Sequence, residues 1–425
     1  MLNIQYVRNH TDECIKRLST KNADVTAVEE LLKIDAARRD LQQKSDSMKK
    51  TRNERSKKIG ELIKNGQNPA SLKEEMRNLS SEIKDIDAEL KELDEKQQLL
   101  LLAIPNVPHE SVPVGSSEED NAFVEEWGSK PSFDFKPLPH WDIGENLNVL
   151  DFPRATKIAG TGFPLLRAEM ARLERALIAW MIDVHVKENG YEEVAPPYLV
   201  TRETITGTGQ LPKMEEDMYL CNTDDLFLIP TAEVPVTNIH SGEILNAVQL
   251  PVYFVSHTPC FRREAGSYGK ETRGLTRVHQ FNKVELVKLS PPEKSYDELE
   301  SLRKNAEDLL KRLGLHYRVL ELCTADLSFA AAKCYDLEVW APGMERYLEV
   351  SSCSNFEDFQ ARRMSIKFRR ESGAKAELVH TLNGSGLALP RLMIALLETY
   401  QQPDGNVKIP GEIQPYFGSD LLRKK

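Results

Sequence analysis

Apolar residues in the first hundred positions recur at alternating steps of three and four. One series runs Leu31, Ile34, Arg38, Leu41, Ser45, Met48, Arg52, Arg55, Ile59 and Leu62. A second runs Leu72, Met76, Leu79, Ile83, Ile86, Leu90, Leu93, Gln97, Leu100 and Ile104. Steps of this kind keep one face of a helix turned to a partner, which is the seam of a coiled coil. Between the series lies Asn65–Ser71, NGQNPAS, whose glycine and proline stop one helix and start another. The pattern predicts an antiparallel hairpin about 50 Å long at 1.5 Å per residue. The second seam is strongly apolar. Arg38, Ser45, Arg52 and Arg55 dilute the first, so its middle and tip should be less stable than its base.

Beyond Ile104 the helical period is lost. Six prolines and the acidic run SSEEDNAFVEE fall between 105 and 140 and mark a linker. An amphipathic helix is predicted over Arg167–Glu188, with Leu173, Leu177, Trp180, Met181 and Val184 on one stripe. A second is predicted over Pro292–Leu313, ended by Gly314. Strand-like runs are Leu226–Pro230, Val252–His257, Val278–Leu289, Tyr317–Leu322, Cys334–Trp340 and Tyr347–Ser352. Strands in hairpin succession with helices inserted predict an α+β domain, beginning near His140, with a largely antiparallel sheet.

Length and composition fit this reading: 425 residues allow two or three domains, and 40% hydrophobic with 29% charged residues is a globular balance. No apolar run approaches the roughly 18 residues needed to span a bilayer. The opening residues lack the apolar core of a signal peptide, so a cytoplasmic location is expected and no membrane partner. Six cysteines are scattered without a CxxC pair, which predicts reduced thiols and no zinc site by spacing. The net charge is −10, yet Glu30–Lys58 holds ten Lys or Arg against five Asp or Glu. A local basic excess in an acidic chain points to an anionic partner. It turns the hairpin from a plain dimerisation coil toward an arm that touches RNA.

Four segments carry candidate chemistry. Thr258–Glu285 reads TPCFRREAGSYGKETRGLTRVHQFNKVE: two strand-like runs flank a loop with three glycines and five positive charges. On a strand from Arg277 to Leu289, His279, Phe281, Lys283 and Glu285 share a face, and on the preceding run Arg262 and Glu264 do. An aromatic ring there can take a purine, and an arginine fork suits a phosphate. Leu348–Asn355, LEVSSCSN, puts Glu349 among hydroxyls, oxygen donors of the kind magnesium prefers. His380–Tyr400 runs from a glycine-containing strand into a helix, with Pro390 tolerated in the first turn and Arg391 beside it. Leu228–Pro235, LIPTAEVP, puts Thr231 and Glu233 on one strand face, a pair suited to an ammonium group. Singly, each is also what an ordinary surface hairpin or helix cap would contain.

Together, in this order, the four segments resemble a bacterial-type seryl-tRNA synthetase, a class II aminoacyl-tRNA synthetase, over essentially the whole chain. Ala195–Pro197 resembles motif 1, CFRREAGSYGKETRGLTRVHQFNKVEL motif 2, and NGSGLALPR motif 3. The resemblance implies an N-terminal antiparallel helical coiled-coil hairpin plus a class II synthetase catalytic domain with a mainly antiparallel sheet flanked by helices. The implied parts are a tRNA-binding domain at 1–104 with its arm at about 27–104, a linker at 105–140 and a catalytic domain at 141–425.

What it implies for single positions is specific. Arg262 would bind the α-phosphate and the serine carboxylate, with Arg263 and Glu264 completing the ATP contact. Phe281 and Arg391 would sandwich adenine, with Val278 at its border. Glu349 and Ser352 would hold Mg²⁺ on the triphosphate, Val350 and Ser351 lying in the same ATP-binding run. That pairing requires a bulge or a strand end. Thr231 and Glu233 would line the serine site, Glu285 would meet its amino and hydroxyl groups, and Asn383 and Ser385 would close the pocket. Arg262, Glu264 and Arg391 would carry catalysis. The arm would hold tRNA through Arg38, Lys49, Arg52 and Lys57. The partners implied are ATP, L-serine, tRNA(Ser) and a second copy in a homodimer, with no zinc; charging of tRNA(Sec) is left open. Two rival readings are a class II homologue that loads a carrier protein and a non-catalytic RNA-binding paralogue. The long arm argues against the first and the intact Arg262, Glu285, Glu349 and Arg391 against the second.

Overall fold

Two long helices, α1 (Thr26–Lys64) and α2 (Ala70–Ala103), run along the heptad series read from the sequence. The computed structural model describes residues 1–265 and 273–423, which divide into two compact units, Leu2–Pro105 and Asn106–Lys425. In the first unit Leu31 of α1 and Ile83, Ile86 and Leu90 of α2 are buried at the seam. The polar contacts fix the direction: Arg38 meets Asp94, Lys49 meets Asp87 at 2.8 Å, and Arg55 meets Glu75 at 2.9 Å. Rising numbers on α1 meet falling numbers on α2, so the helices are antiparallel. Ser45 is fully buried where the apolar series breaks, and its hydroxyl donates to Asp87 at 2.9 Å. Arg38, Ser45 and Arg55, three of the four diluted seam positions, therefore bind across it.

The second unit is built on an eight-stranded sheet. In chain order the strands are β1 (Ala122–Trp127), β2 (Glu192–Glu193), β3 (Val252–Phe261), β4 (Gln280–Ser290), β5 (Tyr317–Glu321), β6 (Lys333–Ala341), β7 (Arg346–Asn355) and β8 (His380–Ala388). Their order across the sheet is β1-β5-β6-β7-β8-β4-β3-β2. All neighbours are antiparallel except β2 with β3. Three helices, α3 (Glu169–Glu188), α4 (Ser295–Arg312) and α5 (Leu389–Tyr400), supply the core of one face. Leu173 and Trp180 of α3, Leu302 and Leu309 of α4, and Leu392 and Leu396 of α5 pack with Val284 and Leu286 of β4. The period of two then turns the alternate residues of β4 to the opposite face, where a cleft lies.

The segment expected as a linker is part of this unit. Residues 122–127 form the edge strand β1 against β5, and the Asn106 amide donates to the Phe329 carbonyl at 2.9 Å. Its prolines punctuate a chain that is still paired, so proline content alone misread it. Gly384 of β8 has a clear reason to lack a side chain: a Cβ there would meet Leu302 Cδ2 at 2.3 Å and Cys353 Sγ at 2.9 Å. Its bareness lets β8 lie against α4. Among the described residues no helix is long and apolar enough to cross a membrane.

Candidate active site

The free face of the sheet carries a cleft of about 570 Å³. On β4, Phe281 and Lys283 are on its wall, with Glu285 buried just behind. Register sets Glu285 opposite Ser385 of β8 and opposite Ser256 of β3, so neighbouring strands bring their cleft-facing side chains to one level. The strand begins at Gln280, not Arg277; Arg277 and Val278 line the cleft from the loop that precedes it.

Two expected strand placements are corrected. β3 ends at Phe261, so Arg262 and Glu264 share no strand face. Arg262 donates from Nε to the Pro230 carbonyl at 3.3 Å, and its guanidinium lies 5.2 Å from the Phe281 ring centre. Glu264 has φ +52° and its carboxylate accepts from Arg277 at 2.9 Å. Both line the cleft, whereas Arg263 is exposed and its side chain is off the wall. Likewise the strand Leu226–Leu228 stops short of Thr231, and Glu233 opens the short helix Glu233–Thr237. A helical turn, rather than strand alternation, brings Thr231 and Glu233 together: the Thr231 hydroxyl accepts from the Glu233 amide at 3.2 Å. The glycine-rich loop at 266–272 lies outside the described residues.

β7 contains the irregularity that the pairing of Glu349 with Ser352 requires. Leu337 of β6 faces Ser351 and Glu338 faces Glu349, so Val350 has no partner across the ladder. One extra residue re-phases the strand, and Glu349, Val350 and Ser352 all reach the cleft wall. Ser351 does not: its buried hydroxyl donates to the Ser385 carbonyl at 2.6 Å, which ties β7 to β8 and corrects its expected place beside the nucleotide. Arg391 sits in the first turn of α5 and donates to the Glu349 carbonyl at 2.9 Å and to its carboxylate at 3.2 Å.

The deep end of the cleft is acidic. Glu233 and Glu285 are both buried. Burial first, and then the charge of Glu285, push the Glu233 carboxyl up to about 7, against a hydrogen bond from Gln360 that favours its ionised form. Asn383 donates to Glu285 Oε1 at 2.8 Å, and its own buried Oδ1 has no hydrogen-bond partner. Lys283 Nζ is 2.5 Å from Glu285 Oε2, placed as an ion pair rather than along a hydrogen-bond direction. An unpaired acceptor and two carboxylates in one buried end suit a small cation that also carries a donor hydroxyl. At the β7 wall, Asp336 lies opposite Ser352, and burial together with the Glu349 charge holds its carboxyl well above the usual range. Glu349 and Ser352 on the cleft wall offer hard oxygen donors, a pair that fits a divalent cation bound largely through phosphate and water.

At the deep end of the cleft, sequence reasoning passed over Lys283 and Gln360. Lys283 was placed on the correct face but given no task. Gln360, fully buried on the short helix Phe359–Met364, had no local signal. Its amide nitrogen donates to Glu233 at 2.8 Å and to the Thr208 carbonyl at 3.0 Å, while its oxygen accepts from Thr381 at 2.7 Å. Those three bonds fix the amide and so fix Glu233.

Comparison with known proteins agrees with this geometry. The family described as "Seryl-tRNA synthetase N-terminal domain" matches residues 1–108, and "tRNA synthetase class II core domain (G, H, P, S and T)" matches residues 217–400. A serine–tRNA ligase of Geotalea uraniireducens is 54% identical over 418 residues, 98% of this chain and 99% of that one. One from a Geobacillus species is 55% identical over 419 residues, 99% of each chain. The crystal structure of seryl-tRNA synthetase from Pyrococcus horikoshii complexed with ATP superposes with a TM-score of 0.95 at 36% identity, covering 100% of both chains. The chain belongs to the seryl-tRNA synthetase family of class II aminoacyl-tRNA synthetases.

Proposed function

We propose that this chain activates L-serine with ATP and transfers it to the 3′ end of tRNA(Ser). The observation that supports this most is the cleft itself. An aromatic ring, two arginines and an oxygen-donor wall at one end meet a buried acidic end that holds Glu233, Glu285 and an unpaired Asn383 oxygen. Adenine stacks on Phe281 and against Arg391. Arg262 positions the α-phosphate and the serine carboxylate, Glu264 completes the ATP contact, and Thr231, Glu233 and Glu285 receive the ammonium. Asn383 and Ser385 close the end around the hydroxyl. Glu349 and Ser352 would hold the divalent cation, magnesium by its donor set, which would draw charge from the phosphate oxygens.

No enzyme nucleophile is needed. The serine carboxylate attacks the α-phosphorus, pyrophosphate leaves, and the terminal ribose hydroxyl of tRNA then attacks the activated carbonyl. The protein's contribution is alignment and charge neutralisation. Alanine is rejected because it would leave buried polar groups unpaired, and threonine because its extra methyl must fit the same small end. The hairpin holds tRNA by backbone and shape, without reading an anticodon. The reading includes a homodimer and magnesium as metal.

Pyrophosphate exchange measured across the twenty amino acids, followed by charging of total tRNA, tests the proposal. Serine alone should support exchange. Exchange with another amino acid and not serine overturns the substrate, and exchange without charging favours a carrier-loading homologue. The same charging assay decides whether tRNA(Sec) is a second acceptor.

A further inference from the structure

Lys283 is a buried cation on the cleft wall, and none of the roles above uses it. It lies on β4 between Phe281 and Glu285 on one face, roughly 7 Å from each by strand rise. In the proposed reading, on which this inference rests, the base stacks at Phe281 and the serine ammonium meets Glu285. The position between them is the level at which the α-phosphate and the serine carboxylate react. Yet the Lys283 ammonium is turned to Glu285, 2.5 Å from Oε2, the place a substrate ammonium would take. The other oxygen of Glu285 is already occupied by Asn383. A substrate ammonium that approaches Oε2 therefore meets the like charge of Lys283 there.

We propose that Lys283 is a counter-ion displaced by substrate. In the free protein it neutralises Glu285, which would otherwise be a buried carboxylate beside Glu233. When the serine ammonium arrives, the flexible lysine stem swings its charge to the non-bridging oxygens of the α-phosphate. A serine carboxylate oxygen then bonds to the α-phosphorus, the bond to the bridging oxygen breaks, and pyrophosphate leaves with the electron pair. Lys283 donates hydrogen bonds and transfers no proton. The exchange of partners keeps the cleft near neutrality before and after serine binds, and makes phosphate activation depend on an ammonium-bearing substrate.

Lys283→Met, Lys283→Gln and Lys283→Arg, each checked for folding by thermal melting, test this through steady-state pyrophosphate exchange. The Met and Gln proteins should lose about 100-fold in kcat, with KM for ATP within about threefold of the parent, as expected when a charge acting on the transition state is removed. The Arg protein should keep kcat within about tenfold, because the charge is retained. If Met leaves Glu285 too poorly compensated to fold, the Gln and Arg pair carries the comparison. A folded neutral variant that raises KM for serine while leaving kcat within threefold overturns the proposal, since Lys283 would then only brace Glu285. Equal impairment of the Arg and Gln proteins also overturns it. Absence of serine-dependent exchange in the parent protein would instead withdraw the serine assignment.

Discussion

At the scale of single residues the cleft is governed by charge taken out of water. Glu233 shows the consequence. Its carboxyl is pushed up to about 7 by burial and by the Glu285 charge, so the folded protein holds this proton more tightly than the unfolded chain. The stability that proton lends is fully present below about 4.5, the ordinary value, and is lost as pH rises through about 7. Relative to Glu233→Gln, the parent protein should therefore lose stability over that window, on the order of 3 kcal/mol at most, measurable by denaturation at a series of pH values. Serine binding should run the other way. An ammonium is held by the ionised form, so KM for serine should fall between pH 6 and 8 (roughly one unit either side of that titration), and the Gln protein should lose the trend along with affinity. Arg262 belongs to the same scale. Arg262→Ala should reduce serine-dependent exchange by about 100- to 1000-fold, and exchange near the parent rate would remove Arg262 from the reacting end.

Elements decide which of these residues meet. β4 was legible because a period of two needs only local backbone, and Phe281, Lys283 and Glu285 do share a face. The bulge of β7 at Val350 was required by the implied pairing of Glu349 with Ser352, but its place was not legible, because register against the partner strand β6 sets it and no local period does. The helical turn at Thr231–Glu233 escaped for a similar reason: TAEVP is compatible with a strand end or a helix start, and packing of Val236 with Phe254 and Val287 selects the latter. Close approach of β8 to α4 gives a test at this scale. Gly384→Ala should cost about 1–3 kcal/mol by overpacking against Leu302 and Cys353. It should also lower the thermal midpoint and weaken serine binding, because Asn383 and Ser385 flank it. An unchanged melting curve would mean that the helix yields.

Across the whole molecule, the chain divides into two compact units. The basic excess on α1 was read as a tRNA contact through Arg38, Lys49, Arg52 and Lys57, and the structure redistributes that surface. Arg38 and Lys49 are committed to Asp94 and Asp87 across the hairpin, Arg52 is half-buried, and Lys57 is exposed. Lys33, Lys44, Lys50 and Lys58 are also exposed and were not singled out. Reversing charge at Lys44, Lys50 and Lys57 together should leave pyrophosphate exchange within about twofold while lowering tRNA charging tenfold or more, with a shallower salt dependence. Charging that survives this triple change would move the RNA contact elsewhere.

The sequence by itself determined the hairpin, its seams and turn, and the succession of most strands, while the polar groups expected at the cleft came from the resemblance of four segments taken together. Those features depend on local period, on helix and turn chemistry, and on residue types with few alternative uses. Only the tertiary structure decided that residues 122–127 close the edge of the sheet, that Ser351 and Arg263 turn away from the cleft, that Gln360 fixes Glu233, and that Lys283 pairs with Glu285. The edge strand, the Ser351 bond and the Gln360 bond are choices among partners remote in the chain. Hydrogen-bond register and the cost of leaving a buried charge unpaired make that choice, and neither is written in a local pattern.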